Sequence, residues 1–429
     1  MNSLVLLAML ATAQTNAPTN LTVSQAVKIA ERNAFAISLA QSNLEVTRQQ
    51  INEAAGAMRP AFSIGGTYTR FDQASKASFG GNSFTVQPID EKSLNAKISY
   101  IVDLSGNLLR ALRASKEAFA ANQETLQATA NNTKETVRND FFAVLRANAQ
   151  VQVAKLSVKD NAVLVKNTKA QMAAGTAAKV DVLNAEAQLA QAQNELISAQ
   201  NKLDLSKQVL NNDLGRPIET KFNAVDVPQA PILTASSSEL VSKAEVQRPE
   251  VLALQHTITE LHNVTKATQS GTSPTLNLSV TGTQNIGAIG FGGRLQQAVG
   301  TASLNWPIYD GGVTRAKVKI AEQNEHQAEI QLKQTKLLIS LQVREAYTNY
   351  IDAGSLYAQA QTQVKAAKEA LRLAILKNSQ GEGIFLEVLT AESNYATAQS
   401  NLVNARYSSW AAIASLQQAY GNDNLPLKN

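Results

Sequence analysis

The sequence predicts a mainly α-helical protein that carries a membrane β-sheet, with the whole arrangement made twice. Three observations lead there. A shift of 206 positions carries Val137-Arg138 onto Val343-Arg344, Gly175 onto Gly381, Val182-Leu183 onto Val388-Leu389, Ala185-Glu186 onto Ala391-Glu392, and Gly215 onto Gly421, with no gap. A fixed offset of that kind marks a duplicated unit. Each half also holds two stretches that alternate apolar and polar residues with period two, followed by a heptad pattern too long for a compact core.

Residues 1–13 read as a secretory signal. Leu4 to Leu10 form a short apolar run, and Ala11-Thr12-Ala13 fits the small-x-small cleavage pattern before Gln14, although no Lys or Arg precedes the run. The first repeat then occupies residues 14–215. A helix over Val23–Met58 is expected to stop before Pro60, because proline cannot continue it. Phe62, Ile64 and Tyr68 then alternate with polar or small residues. A turn-rich loop over Asp72–Ser93 follows, and Leu94, Ala96, Ile98, Tyr100 and Val102 alternate on the return, giving a β-hairpin over 61–102.

From about Ser105 to Met172 the period becomes seven, with Val137, Val144, Val151, Val158, Val165 and Met172 in register. At ~1.5 Å per residue such a helix measures about 100 Å. It breaks at Gly175, and a returning helix with alternating large and small a/d residues runs to Gly215. Residues 216–237, with Pro217, Pro228 and Pro231, read as the linker joining the halves, which the resemblance described below makes equatorial.

The second repeat, residues 238–421, follows the same order. A helix over Ser236–Gln269 precedes Pro274. Leu276, Leu278 and Val280 alternate on one strand, and Ala302, Leu304, Trp306 and Ile308 on the other, as a hairpin over 275–308. Val343, Tyr350, Tyr357, Val364 and Leu371 carry the heptads to a second tip at Gly381. Residues 422–429 form a tail.

Aromatics make up only 5% of the 429 residues, there is no cysteine, and the net charge of +5 is spread without a basic run. Disulfides, thiolate metal sites and a nucleic-acid footprint are therefore not expected. His256, His262 and His326 lie singly on helix faces, and no nucleophile, phosphate-loop or zinc motif occurs. Neither an enzyme nor a bound cofactor or metal is expected.

Strands of nine or ten residues with one apolar face suit a tilted crossing of a bilayer, while a small soluble sheet on helices remains the other reading. Four strands cannot close a barrel, and open edges are not tolerated in hydrocarbon. A membrane sheet therefore calls for a dimer of eight strands or a trimer of twelve.

Two motifs then carry a resemblance. Trp306-Pro307-Ile308-Tyr309-Asp310-Gly311-Gly312-Val313-Thr314-Arg315 stands at the strand-to-helix switch, with a degenerate copy at Val102–Arg110. The tips match as Gly175…Asp181-Val182-Leu183 and Gly381…Glu387-Val388-Leu389. In these the chain resembles the TolC-like outer membrane efflux proteins over nearly its whole length. The resemblance implies a homotrimer in outer-membrane lipid, with a twelve-stranded barrel continued by a twelve-helix periplasmic tunnel.

It implies a passive exit duct of a tripartite pump or type I secretion system. The duct would work with a periplasmic adaptor (membrane fusion) protein and an inner-membrane transporter, proton-driven (RND-type) or ATP-driven (ABC-type). The other functional reading is a non-channel periplasmic adaptor or spacer. Residue by residue, the resemblance puts the periplasmic gate on Glu387 and Asp181. The second acidic ring falls on Thr390 and the latching arginine on Gly383, so neither charge is present here. Helix-tip turns fall on Gly175 and Gly381, and the switch on Pro307, Asp310, Gly311, Gly312 and Arg315. The lipid-facing strand residues are Leu94, Ile98, Tyr100, Leu276, Leu278, Val280, Leu304 and Trp306.

Overall fold

The computed structural model describes residues 19–428. The expected secretory signal lies outside the described residues. The chain opens with β1 (Thr19–Leu21) and two helices, α1 (Val23–Asn33) and α2 (Phe35–Gly56), where one continuous helix was expected. Ala34 takes an extended conformation (φ −61°, ψ 130°) and is almost fully buried, so packing overrides local helix propensity there. The second repeat breaks in the same way. α5 (Ser237–Gln247) and α6 (Pro249–Gln269) are separated by Arg248 (φ −67°, ψ 133°), because the ring of Pro249 pushes the residue before it out of the helical region.

β2 (Ala61–Arg70) follows the first helix pair. The region expected as a plain loop holds a small hairpin of its own, β3 (Ser75–Phe79) and β4 (Asn82–Gln87), before β5 (Asp90–Val102) returns. α3 (Asn107–Ala173) runs for 67 residues, and α4 (Lys179–Asp213) returns for 35. The linker carries β6 (Phe222–Ala224) and β7 (Ile232–Leu233). The second repeat continues with β8 (Thr275–Ile286), β9 (Gln296–Asn305), α7 (Val313–Ser379; 67 residues), α8 (Phe385–Tyr420) and β10 (Leu427–Lys428). α7 begins and ends 206 positions after α3. β9 stops at Asn305, so Trp306 and Ile308 lie past the strand rather than on it. Pro307 between them offers no backbone N–H to continue the ladder.

Grouped by proximity, the chain forms two units that draw on both repeats. One holds residues up to Gln41, Leu126–Pro249 and Lys336 onward; the other holds Ser42–Thr125 and Glu250–Thr335. In the first, Val137, Phe141, Val144 and Leu145 of α3 pack with Leu210 of α4 and Leu214 just past it, Ala26 and Ala30 of α1, and Tyr407 and Ala414 of α8. β6 joins β1 in parallel and β7 joins β10 antiparallel, so the linker is stitched at both strands. Arg406 and Tyr407 hold Asp226, and the Trp410 indole N–H donates to the Pro228 carbonyl.

The second unit holds an antiparallel sheet in the order β2-β5-β8-β9. Directly paired residues share a face. The register pairs Phe62 with Ile98, Ile98 with Val280, Tyr100 with Leu278, and Leu276 with Leu304, so the apolar positions of all four strands lie together. Ser63, Lys97, Thr281 and Val299 belong to the opposite, mostly polar face. β2 and β9 each leave one edge unpaired within the chain.

Candidate functional site

Each tip is a sharp reversal built on one glycine. At the first, the Thr176 N–H donates to the Gln171 carbonyl (2.9 Å) and the Gly175 N–H to Met172 (3.0 Å). At the second, Glu382 donates to Lys377 (3.0 Å) and Gly381 to Asn378 (3.1 Å). Both glycines have φ +78°, the left-handed backbone that this double-bonded helix ending needs. Val165 of α3, Ala185 of α4 and Phe385 of α8 form a small buried cluster near these turns.

The acids beyond the turns behave differently. Asp181 accepts the Ala178 N–H at 3.0 Å and so caps the start of α4. Glu387, its counterpart 206 positions on, is exposed, and among the described residues no hydrogen bond or ion pair reaches its carboxylate. Thr390, one turn further, is exposed and donates its hydroxyl to the Leu386 carbonyl (2.9 Å). Glu387 and Thr390 line one groove between α7 and α8, together with Ala366, Ala370 and Ala374. A Cβ added at Gly383 would lie 3.3 Å from Glu387 Oε2 and 3.1 Å from Lys377 Cβ. The carboxylate thus leans over the place where the resemblance puts an arginine.

The strand-to-helix switch is an Asp-capped turn. Asp310 accepts the N–H groups of Gly312 (3.0 Å) and Thr314 (2.7 Å), and the Thr314 hydroxyl, followed by these N–H bonds, holds its carboxyl below the usual range. Gly311 and Gly312 both take positive φ. In the first repeat Asp103 accepts the Leu109 N–H at 3.1 Å, after Gly106 at φ +71°. The degenerate motif therefore keeps the cap. Arg315 is exposed, whereas Arg110 donates to the Lys266 carbonyl and the Ser270 hydroxyl. Beyond β9, Trp306, Ile308 and Tyr309 are largely exposed.

All three histidines sit beside a glutamate: His256 with Glu117 (2.8 Å), His262 with Glu325 (3.0 Å) and His326 with Glu329 (3.2 Å). Among the described residues no group of three or more His, Asp or Glu could hold a metal.

Two acids, one half-buried and one buried, were missed in the sequence. Burial and the adjacent Asp213 carboxylate push Asp140 up to about 7. Burial, with a smaller contribution from Asp160, does the same to Glu392. An available signal was the repeat itself, because the 206-position shift turns Asp140 and Asp213 into Ala346 and Ala419.

The sequence pattern of the outer membrane efflux protein family matches residues 26–216 and again 240–422. Outer membrane protein TolC of Vibrio cholerae is 27% identical over 324 residues, covering 72% of each chain. The Escherichia coli K12 protein of the same name is 25% identical over 398 residues, covering 88% of this chain and 77% of its own. The solved Campylobacter jejuni CmeC outer membrane channel superposes with a TM-score of 0.81 at 17% identity, covering 95% of this chain and 87% of that one.

Proposed function

Because the chain belongs to the outer membrane efflux protein family, we propose that it is the exit duct by which cargo leaves the periplasm across the outer membrane. The observation that carries this reading is the sheet. Its four strands bring their apolar residues to one face and leave two edges unpaired. Three copies joined edge to edge close a twelve-stranded barrel, which satisfies every edge and has room for a lumen. Leu94, Ile98, Tyr100, Leu276, Leu278, Val280 and Leu304 then face lipid, with Trp306 at the interface beyond the strand end. The polar face lines water.

The long helices carry the passage through the periplasm. Three Glu387 carboxylates converge at its far end, repel one another and draw cations. With Thr390 in place of a second acid and Gly383 in place of a cation, the closed tip is held by packing rather than by a charged latch. The duct is passive. Energy comes from a proton-driven or ATP-driven inner-membrane transporter, and a periplasmic adaptor bridges the two. No catalytic role is proposed.

The test is reconstitution. Protein purified in detergent should run as a trimer and give discrete cation-preferring conductance steps in a planar bilayer. A monomer that dissolves without detergent and never conducts would overturn this reading in favour of an adaptor or spacer.

A further inference from the structure

The repeat has set two glutamates on different courses. Glu186 of α4 receives the Lys169 ammonium at 2.7 Å, with both side chains about half exposed. Its counterpart, Glu392 of α8, is only 7% exposed, and among the described residues no hydrogen bond or ion pair reaches it. The cation is gone from the second copy, because the shift that carries Glu186 to Glu392 carries Lys169 to Ile375.

Glu392 lines a cavity of about 690 Å³ bounded by α3, α4 and α8, all within the first unit. Asn161 of α3 lines the same cavity and is 1% exposed. Its amide N–H donates to the Ser157 carbonyl at 2.9 Å, which leaves Oδ1 with no donor. Among the described residues Asn161 Oδ1 has no donor and the Glu392 carboxylate has no partner, and both residues line one space, so they lack the same thing. They lack N–H or O–H donors, preferably carried by a positive charge.

The charged neighbours sharpen this. Asp160 of α3 adds negative potential at Glu392, and Glu195 of α4 adds a second acid to the lining. The cations on the lining are Arg146 of α3 and Lys202 of α4. Neither offsets the charge at Glu392, where burial and then Asp160 are the influences on the carboxyl and no cation contributes. α8 contributes no other titratable group to the lining. A metal ion would find too few hard ligands.

We propose that this cavity binds a small cation bearing N–H donors, a primary ammonium, held between the Glu392 carboxylate and Asn161 Oδ1. The three donors of such a group match the carboxylate, the amide oxygen and one further acceptor, Ser157 or Gln188, both on the lining. The site is independent of the duct reading, since it lies inside one chain and needs neither barrel nor lumen.

The test is thermal unfolding of the full-length protein in detergent, titrated with methylammonium chloride. Tetramethylammonium, which has no N–H, and potassium chloride serve as controls at equal ionic strength. Methylammonium should raise the melting temperature saturably, by about 1–3 °C, and the controls should not. With Glu392 titrating at about 7, the apparent affinity should be about tenfold weaker at pH 6 than at pH 8, following the ionised fraction. Glu392→Gln, which relieves a buried charge and should fold well, and Asn161→Leu should each lose the response. The proposal is overturned if methylammonium has no effect, if tetramethylammonium works equally well, or if Glu392→Gln responds like the parent.

Discussion

The two tips share one backbone and differ in how their acids are held. Both helices end in the same pair of reversed hydrogen bonds around a glycine at φ +78°, 206 residues apart. Yet Asp181 spends its carboxylate on the first turn of α4, while Glu387 leaves its own exposed at the first turn of α8. Duplication here preserves what the main chain requires and releases the side chains. One acid caps its own helix, and its copy makes no such bond. A half-buried pair follows the same rule, since Asp140 and Asp213 oppose each other where the second repeat has two alanines.

The sheet should show the halves behaving alike, and with the largest effect. Arginine at Ile98 in the first hairpin or at Leu278 in the second should each abolish trimers in outer-membrane fractions, at ~2–4 kcal/mol per lipid-facing arginine near the mid-plane. Ser279→Arg, on the opposite face, should assemble. If only one hairpin is sensitive, the halves are not equivalent in the membrane.

The ends of the return helices should differ in degree. Gly215 and Gly421 both hold positive φ, but a Cβ at Gly215 would run into the rigid Asn33 carbonyl. At Gly421 it would lie 2.8 Å from Arg248 Cγ, a side-chain atom rather than a backbone carbonyl. Gly215→Ala should therefore cost ~3 kcal/mol and Gly421→Ala ~1–2 kcal/mol in urea unfolding. Equal losses would remove the distinction.

Asp140→Asn moves the first repeat toward the second. The folded-state value is raised from 3.8 to about 7, so the wild type keeps its full stability below about pH 4 and loses it as the pH rises through 7. The variant should gain ~1 kcal/mol at pH 8 and nothing at pH 4, a figure reduced because the group is partly solvated. A gain that persists unchanged at pH 4 would point to packing instead of charge.

The smallest energies belong to the tips and separate them most cleanly. Asp181→Ala should cost ~0.5–1 kcal/mol of stability and leave the reversal potential of the conducting protein unchanged. Glu387→Ala should leave stability unchanged and reduce cation preference. The opposite pattern would exchange the two roles.

The backbone plan was legible because the repeat checks itself. A helix seen twice at one offset needs no other support, and α3 and α7 were readable that way. What escaped depends on contacts between distant segments. The break at Ala34 has no proline or glycine to announce it and is set by burial. The break at Arg248 did have a signal, Pro249, whose ring restricts the residue before it. The β3–β4 hairpin follows no long alternation, and Trp306 continues the alternating pattern although the ladder ends at Asn305. At the gate, the residue types were visible from the tip motif. That Asp181 is occupied and Glu387 is not depends on one hydrogen bond that spacing does not reveal. Glu392 and Asn161 were invisible as a pair, being on different helices 231 positions apart.

The two strands of the linker impose a timetable. β6 can find β1 once residue 224 has emerged, but β7 must wait for Leu427. The first stitch belongs to early synthesis and the second to its final moments. A chain cut short by a few residues would therefore arrive with its first repeat fastened and its second still undone. Proteases of the compartment would find the difference there first.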